Sequence, residues 1–137
     1  MIASTDYIGR HAEEREIVAI TDLDSNPVIT LNKALEYKHF AGKEIVGDGD
    51  DDFIEMRAEV GLLTRNLKYQ GNPLDSAENQ YGAHIMIHSP GDESCIGRIE
   101  NVEFYNVGQA FKLGRYPIHF HMIGTVHKSY VRNNAVW

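Results

Sequence analysis

The sequence has little cysteine, no long apolar segment and no excess of positive charge. Cys95 is the only cysteine among 137 residues, so no internal disulfide can form. No run of about 18 apolar residues is present, which excludes a membrane-spanning helix, and the N-terminus lacks the basic and apolar regions of a signal peptide. The net charge of −7 argues against a nucleic acid or an anionic membrane surface as partner. We therefore expect no nucleic-acid binding and no membrane contact by this segment itself.

Amphipathic helical patterns are also absent, and strand patterns dominate. Residues 16–21 are a short run rich in β-branched residues, which is typical of a strand. Residues 22–27 contain residue types that favour turns, and residues 28–31 are predicted to form the returning strand. This order predicts a β-hairpin. Residues 33–40 fit either one helical turn or an extended link, and we favour the extended link.

The second half of the chain contains a weak repeat. Residues 81–88 resemble residues 116–122, and residues 98–108 resemble residues 128–136, at an offset of 30-odd residues in both cases. Short strands separated by Asn and Gly corners at a fixed offset are typical of a parallel β-solenoid. A β-sandwich or a small antiparallel barrel would also produce many short strands and is the alternative.

The most informative segment is Gly114–Gly124, with the sequence GRYPIHFHMIG. Its period of two predicts a strand with one apolar face and one histidine face. We expect Ile118, Phe120 and Met122 to point into the protein and His119 and His121 to point outward.

Three separated motifs, in order along the chain, resemble one known family. The motifs are MRAEVGLLTRN at residues 56–66, GAHIM at residues 82–86 and GRYPIHFHM at residues 114–122. They resemble the right-handed parallel β-helix region shared by the cell migration-inducing hyaluronidases (CEMIP and its transmembrane relative) and fibrocystin-L. The resemblance implies an all-β fold, a right-handed parallel β-helix that is a fragment of a longer helix. It also implies a secreted or cell-surface protein.

On this basis we expect one β-helix segment over residues 1–137. Residues 1–55 would form a hairpin-like entry, and residues 56–137 would form coils that include the histidine strand.

Stacking of equivalent strands is expected to gather histidines on one face. His84 would lie over or near His119, with His88 and His121 on the same face, because neighbouring strands are about 4.8 Å apart. Imidazoles in such a group suit a borderline metal, and we predict a divalent-metal site, for Zn²⁺ or Ca²⁺, at His84, His119 and His121. The alternative is a ladder of stacked rings that only packs.

Arg115 and Tyr116 precede the histidine strand at a glycine corner. A guanidinium can hold a carboxylate by two hydrogen bonds, and a tyrosine ring can stack on a sugar. We therefore predict that both residues bind an anionic glycan such as hyaluronan, with Arg115, His119 and His121 as the catalytic candidates. The alternative for Arg115 is an internal ion pair that braces the corner.

No pair of carboxylates stands out as the catalytic pair of a glycosidase. The candidates are scattered along the sequence, at Glu59, Asp92, Glu93, Glu100 and Glu103. The acidic run at residues 48–52 resembles a Ca²⁺ loop only in composition, and a solvated loop is the better interpretation.

Two functions remain open at this point. One is an extracellular or cell-surface β-helix segment that binds hyaluronan or a related anionic glycan, and that depolymerises it only within the full-length protein. The other is a non-catalytic structural or adhesive module of the fibrocystin-L kind.

Overall fold

Short strands make up nearly all regular structure in residues 1–49 and 51–137, the part of the chain that this computed structural model describes. Asp50, within the acidic run considered as a calcium loop, lies outside the described residues. The chain divides into two compact units, Met1–Leu62 (unit 1) and Leu63–Trp137 (unit 2). The prediction of a single β-helix segment with an entry over residues 1–55 and coils over residues 56–137 stays a prediction.

Unit 1 is built from two antiparallel hairpins and a short 3₁₀ turn at Gly9–His11. Strand β1 (Ile17–Thr21) pairs with β2 (Val28–Leu31), which confirms the hairpin predicted there. Strand β3 (Lys43–Ile45) pairs with β4 (Phe53–Glu55), a hairpin that the sequence analysis missed. Between the hairpins, residues 33–40 form neither helix nor strand, as the interpretation as an extended link requires.

Unit 2 contains seven strands and one short helix among its described residues. The helix α1 is Ser76–Asn79, and the strands are β5 (Leu67–Gln70), β6 (Ile85–His88), β7 (Arg98–Glu100), β8 (Val102–Tyr105), β9 (Ile118–His121), β10 (Tyr130–Arg132) and β11 (Ala135–Val136).

Every pairing between these seven strands is parallel. Paired residues lie 35 positions apart in β5–β8, 33 in β6–β9 and 32 in both β7–β10 and β8–β11. The antiparallel alternatives are therefore wrong for unit 2. A chain that returns to three different sheets after a nearly constant number of residues follows the stacking pattern of coils.

Asparagine corners repeat at the same spacing. Asn101 and Asn133, 32 residues apart, both adopt a left-handed backbone, with φ of 57° and 54°. Asparagine tolerates this conformation better than most residues. Next to the second corner, the Asn134 side chain donates to the Ile99 carbonyl and accepts from the Val102 N–H. The Asn134 side chain therefore links two successive turns of the chain by hydrogen bonds.

The interior of unit 2 centres on Phe104, which is fully buried. Its ring meets that of Tyr69 edge to face at 5.6 Å. Met122 was expected inside with Ile118 and Phe120, and this is wrong: Met122 is 78% exposed. Strand β9 ends at His121, and Met122 has a left-handed φ of 44° that breaks the alternation. Ile123, 3% exposed, takes the inward position instead.

Replacing Gly82 with alanine should destabilise unit 2. A Cβ at position 82 would lie 1.9 Å from the Asn106 carbonyl oxygen, which belongs to backbone and cannot swing away. We expect a cost of about 1–3 kcal/mol or more from this overlap, measured by urea denaturation of the full chain. Gly61→Ala, in unit 1, controls for a glycine-to-alanine change without a steric overlap, because a Cβ there meets nothing within 4 Å. Equal stability of the two variants would contradict the close approach at Gly82.

Candidate functional site

The histidine face lies on the two-stranded parallel sheet β6–β9. In its register Met86 is opposite His119 and His88 is opposite His121. These four side chains alternate with the apolar residues of the same strands, so they share one face of the sheet. His84 was expected over or near His119, but it precedes β6, and Met86 occupies that place.

The rings on this face form a continuous row. The centroids are 5.1 Å apart for Tyr116 and His119, 5.0 Å for His119 and His121, and 5.3 Å for His121 and His88. The first two contacts are edge to face, with interplanar angles of 71° and 82°. The predicted histidine face is thus an array of mutually contacting rings.

Backbone carbonyls fix the orientation of two of these imidazoles. Nδ1–H of His119 donates to the Gly114 carbonyl at 2.7 Å, and Nδ1–H of His88 donates to the His121 carbonyl at 3.0 Å. With the proton on Nδ1, each neutral ring keeps a lone pair on Nε2. Gly114 can present its carbonyl because its φ of +85° is open to glycine at no steric cost.

Arg115 contacts a histidine rather than an acid. Its Nη1–H donates to Nε2 of His84 at 2.9 Å, and a guanidinium has no lone pair to accept with. His84 must therefore accept at Nε2 and carry its proton on Nδ1. In the part of the chain that the structure describes, no ion pair between Arg115 and an acid is recorded. The guanidinium is half-buried, and the next residue in the sequence, Tyr116, is exposed.

The metal site predicted at His84, His119 and His121 stays a prediction. Among the described residues, no group of three or more His, Cys, Asp or Glu side chains converges on one point. Nε2 of His84, one of the nitrogens that a metal would need, is engaged by Arg115.

The candidate carboxylates of unit 2 are held as anions by their neighbours. Arg132 grips Glu100 through two hydrogen bonds of 2.7 and 3.0 Å and lowers its pKa. Lys68, 2.9 Å from buried Glu103, lowers the pKa of that carboxyl. The Ser94 hydroxyl lowers the pKa of Asp92. A glycosidase general acid needs the opposite shift, a pKa raised towards neutrality, so none of these three residues fits that role.

Unit 1 contains a cluster of charged groups that no sequence pattern predicted. The buried carboxylate of Glu13 accepts from the backbone N–H of Glu36 and of Tyr37, from Nε2 of His39 and from the guanidinium of Arg15. We call this set of interactions the Glu13 clasp. Glu13 stands in the charged run HAEERE, which looks like a solvated surface, so no local signal marked it.

The clasp shifts two pKa values in opposite directions. Burial raises the pKa of Glu13, but the N–H groups of Glu36 and Tyr37, with His39 and Arg15, outweigh it and lower the pKa to about 2. Glu13 raises the pKa of His39, and the Ala3 carbonyl at 2.8 Å from Nδ1 adds to this. Both ring nitrogens of His39 face acceptors, so the doubly protonated imidazolium fits best.

Comparisons with known proteins point to one group. A family model described as the CEMIP β-helix matches residues 80–137. Human fibrocystin-L is 36% identical over 172 residues, which cover 99% of this chain and 4% of fibrocystin-L. Human cell surface hyaluronidase CEMIP2 is 36% identical over 136 residues, 92% of this chain and 9% of that protein. A G8 domain-containing protein of Dictyostelium discoideum is 32% identical over 136 residues, 99% of this chain and 10% of its own length.

The chain therefore spans a tenth or less of each of these relatives. No solved structure matches it significantly. No described helix has the length and apolar character needed to cross a membrane.

Proposed function

The chain belongs to the β-helix family of CEMIP and fibrocystin-L, and on that premise we propose that it is a β-helix module of a secreted or cell-surface protein that binds an anionic glycan such as hyaluronan. The parallel pairings of unit 2 are, in this proposal, successive coils of a right-handed solenoid. Two relatives support the assignment by their names, one as a cell surface hyaluronidase and one as fibrocystin-L.

The observation that carries the proposal is Arg115, which forms no ion pair with an acid among the described residues and precedes the first residue of the ring row. Its guanidinium is held by a neutral acceptor, His84, and so keeps its capacity to bind a carboxylate. Tyr116, the next residue in the sequence, is 45% exposed, and its ring begins the row through His119 and His121. An uronic-acid sugar offers one carboxylate for the arginine and an apolar face for a ring.

The charge distribution supports the same partner. Unit 1 has 6 basic and 14 acidic residues, a balance of −8, and unit 2 has 7 basic and 6 acidic residues, a balance of +1. The whole chain, with its net negative charge, repels a polyanion, whereas unit 2 with its balance of +1 does not. The face is also accessible, since Met86 and Tyr116 are each 45% exposed. An open face suits a polymer better than a small ligand.

Catalysis within the full-length protein is the stronger form of this proposal. Arg115 would neutralise the uronate carboxylate, which acidifies the adjacent C5–H, and His119 or His121 would take that proton at a free ring nitrogen. The C4–O4 bond then breaks, a C4–C5 double bond forms, and the departing O4 takes up the proton that the histidine removed from C5. No raised-pKa carboxylic acid is required, in keeping with the paired state of Glu100 and Glu103.

Replacing Arg115 should weaken glycan binding. We expect Arg115→Ala to reduce the affinity for a hyaluronan oligosaccharide about tenfold or more, since charge-assisted hydrogen bonds contribute roughly 1.5–3 kcal/mol. Arg115→Lys should recover only part of it, because an ammonium lacks the two-pronged geometry. The measurement is isothermal titration calorimetry at two salt concentrations. Arg132→Gln is the charge-matched control, because Arg132 is already paired with Glu100. An equal loss of affinity in Arg115→Ala and Arg132→Gln would mean that only the net charge matters, and it would contradict the proposed site.

A second candidate function is the structural or adhesive module. It is favoured by the ion pairs that occupy the carboxylates of unit 2, and by the contact of Arg115 with His84, which also braces the corner. The double variant His119→Ala/His121→Ala in the full-length protein separates the two functions. Abolished glycan turnover with an intact fold supports catalysis, whereas lower thermal stability with unchanged turnover supports the structural module.

A further inference from the structure

Basic and aromatic side chains share one face of the parallel sheet β7–β10, which is separate from the sheet of the ring row. In its register Arg98 is opposite Tyr130, and Glu100 is opposite Arg132. These residues alternate with Ile99 and Val131, so the four side chains lie on the same face. All of them except Glu100 are exposed.

Lys128, also exposed, lies two positions before the first residue of β10. Together with Arg98, Tyr130 and Arg132 it forms what we call the β7–β10 basic patch.

The ring of Tyr130 brings two guanidinium groups together. The Cζ atom of Arg132 lies 4.4 Å from the ring centroid, and the Cζ atom of Arg98 lies 6.0 Å from it. The two Cζ atoms are therefore at most 10.4 Å apart, the sum of these distances. Attraction of each cation to the ring offsets part of the repulsion between them. The patch thus keeps two positive charges close together on an exposed face.

The charge of this face is only partly compensated. Arg132 binds Glu100 through Nε and Nη2, at 2.7 and 3.0 Å. Neither Arg98 nor Lys128 forms an ion pair with an acid in the described part of the chain. Nε of Arg98 donates to the Lys128 carbonyl at 3.0 Å, which fixes the guanidinium and leaves its terminal N–H groups as donors. An anion can therefore be bound without breaking a recorded hydrogen bond.

The density of positive charge indicates the kind of anion. Guanidinium groups bind oxyanions through paired, charge-assisted hydrogen bonds. Hyaluronan carries one carboxylate per disaccharide, whereas a sulfated glycan adds sulfate esters and so presents several anionic groups over the same length. Single-stranded nucleic acids depend on aromatic rings on which their bases stack, and the Tyr130 ring is already contacted by two guanidinium groups. Closely spaced sulfate groups fit this patch best.

We propose that the β7–β10 basic patch binds the sulfate groups of a sulfated glycan. Arg98 and Lys128 bind the sulfate oxygens, and the Tyr130 ring positions the Arg98 guanidinium. Arg132 pairs with the Glu100 carboxylate, which would otherwise repel the ligand. The site goes beyond the proposed function, because it uses another sheet and another ligand chemistry than the ring row.

The test is isothermal titration calorimetry of the full chain with a heparin hexasaccharide over a series of salt concentrations. We expect Arg98→Gln and Lys128→Gln each to lower the affinity about three- to tenfold, since exposed charges contribute less than buried ones. Each variant should also lower the slope of log affinity against log salt by about one, because one fewer cation contacts the polyanion. Arg98→Lys should recover part of the affinity.

Controls separate the patch from net charge and from other polyanions. Lys112→Gln removes an exposed charge of unit 2 outside the patch and should leave affinity and salt slope close to those of the parent protein. A hyaluronan hexasaccharide and a single-stranded DNA of equal charge should bind more weakly than the heparin hexasaccharide at the same salt concentration. Near-ultraviolet circular dichroism verifies the fold of each variant.

Three results would each overturn the sulfated-glycan site. The first is no binding of the heparin hexasaccharide by the parent protein. The second is an equal loss of affinity in Arg98→Gln and Lys112→Gln, which would leave only net charge as the cause. The third is equal or tighter binding of the DNA or of the hyaluronan hexasaccharide.

Discussion

Replacing Phe104 with alanine should lower the free energy of unfolding of unit 2 by about 3–5 kcal/mol. Phe104 is the one fully buried large side chain among the described residues. It lies on the middle strand of the three-stranded sheet β5–β8–β11, in register with Tyr69 on one side and Val136 on the other. Removing the ring leaves a cavity bordered by both neighbouring strands, which the rigid strand spacing cannot close.

Urea denaturation followed by the fluorescence of Trp137 measures this effect. Trp137 is the only tryptophan in the chain and belongs to unit 2, where its ring lies 4.6 Å from that of Tyr105. Phe111→Ala is the matched control, because Phe111 is in the same unit and 98% exposed. It should change the midpoint by little. A Phe104→Ala variant with the midpoint of the parent protein would show that the core of unit 2 does not centre on this ring.

Replacing Glu13 with glutamine should strongly lower the thermal stability of unit 1. A glutamine side chain has one acceptor oxygen in place of two and adds an NH₂ group that would face the donors of Arg15 and His39. His39 would lose its carboxylate partner and Arg15 would keep only the Glu36 carboxylate at 3.9 Å, and breaking a buried pair from one side is strongly destabilising. We expect the thermal midpoint of unit 1 to fall by about 5 °C or more.

Amide hydrogen exchange at Glu36 and Tyr37 localises the effect. Their N–H groups donate to the Glu13 carboxylate, so both should exchange about tenfold faster or more in Glu13→Gln. Glu14→Gln, one residue away on an exposed side chain, is the control and should leave both rates unchanged. Slow exchange at both positions in Glu13→Gln would contradict the clasp.

The clasp also sets a pH window for unit 1. The pKa of Glu13 falls from its ordinary value of 4.5 to about 2 in the folded state, so its contribution is complete above pH 4.5 and is lost as the pH drops towards 2. The pKa of His39 lies above its ordinary value of 6.5, so its contribution is complete below pH 6.5 and is lost as the pH rises through the raised pKa. Unit 1 should therefore be most stable between these limits.

The hairpin at residues 17–31 and the coil-like offset of unit 2 were predictable because both depend on local patterns. Alternation and turn residues specify a strand and its end, and self-similarity at 30-odd residues predicted pairings observed at 32–35. The resemblance to the CEMIP and fibrocystin-L family is confirmed by the comparisons. The hairpin β3–β4 had no such signal, since its two short strands carry charges among their apolar residues.

The histidine face was predicted correctly as a face but not in its register. A shift of two positions exchanges His84 for Met86 opposite His119, and the period of two cannot detect this shift because it preserves the alternation. The prediction that Met122 points inward was wrong for a related reason. Its alternation with His121 continues in the sequence, whereas the strand ends one residue earlier with a left-handed turn.

The amino-acid sequence by itself determined the strand-rich class, the spacing of the repeat, the family and the two-faced character of the histidine strand. These properties depend on neighbours a few residues apart, or on repetition, and both can be read along the chain. Only the tertiary structure decided that His84 receives Arg115 from 31 positions away and that Glu13 binds the backbone at Glu36 and Tyr37. Such partners are chosen by the register of paired strands and by burial, which turn an ordinary charged residue into a buried acceptor.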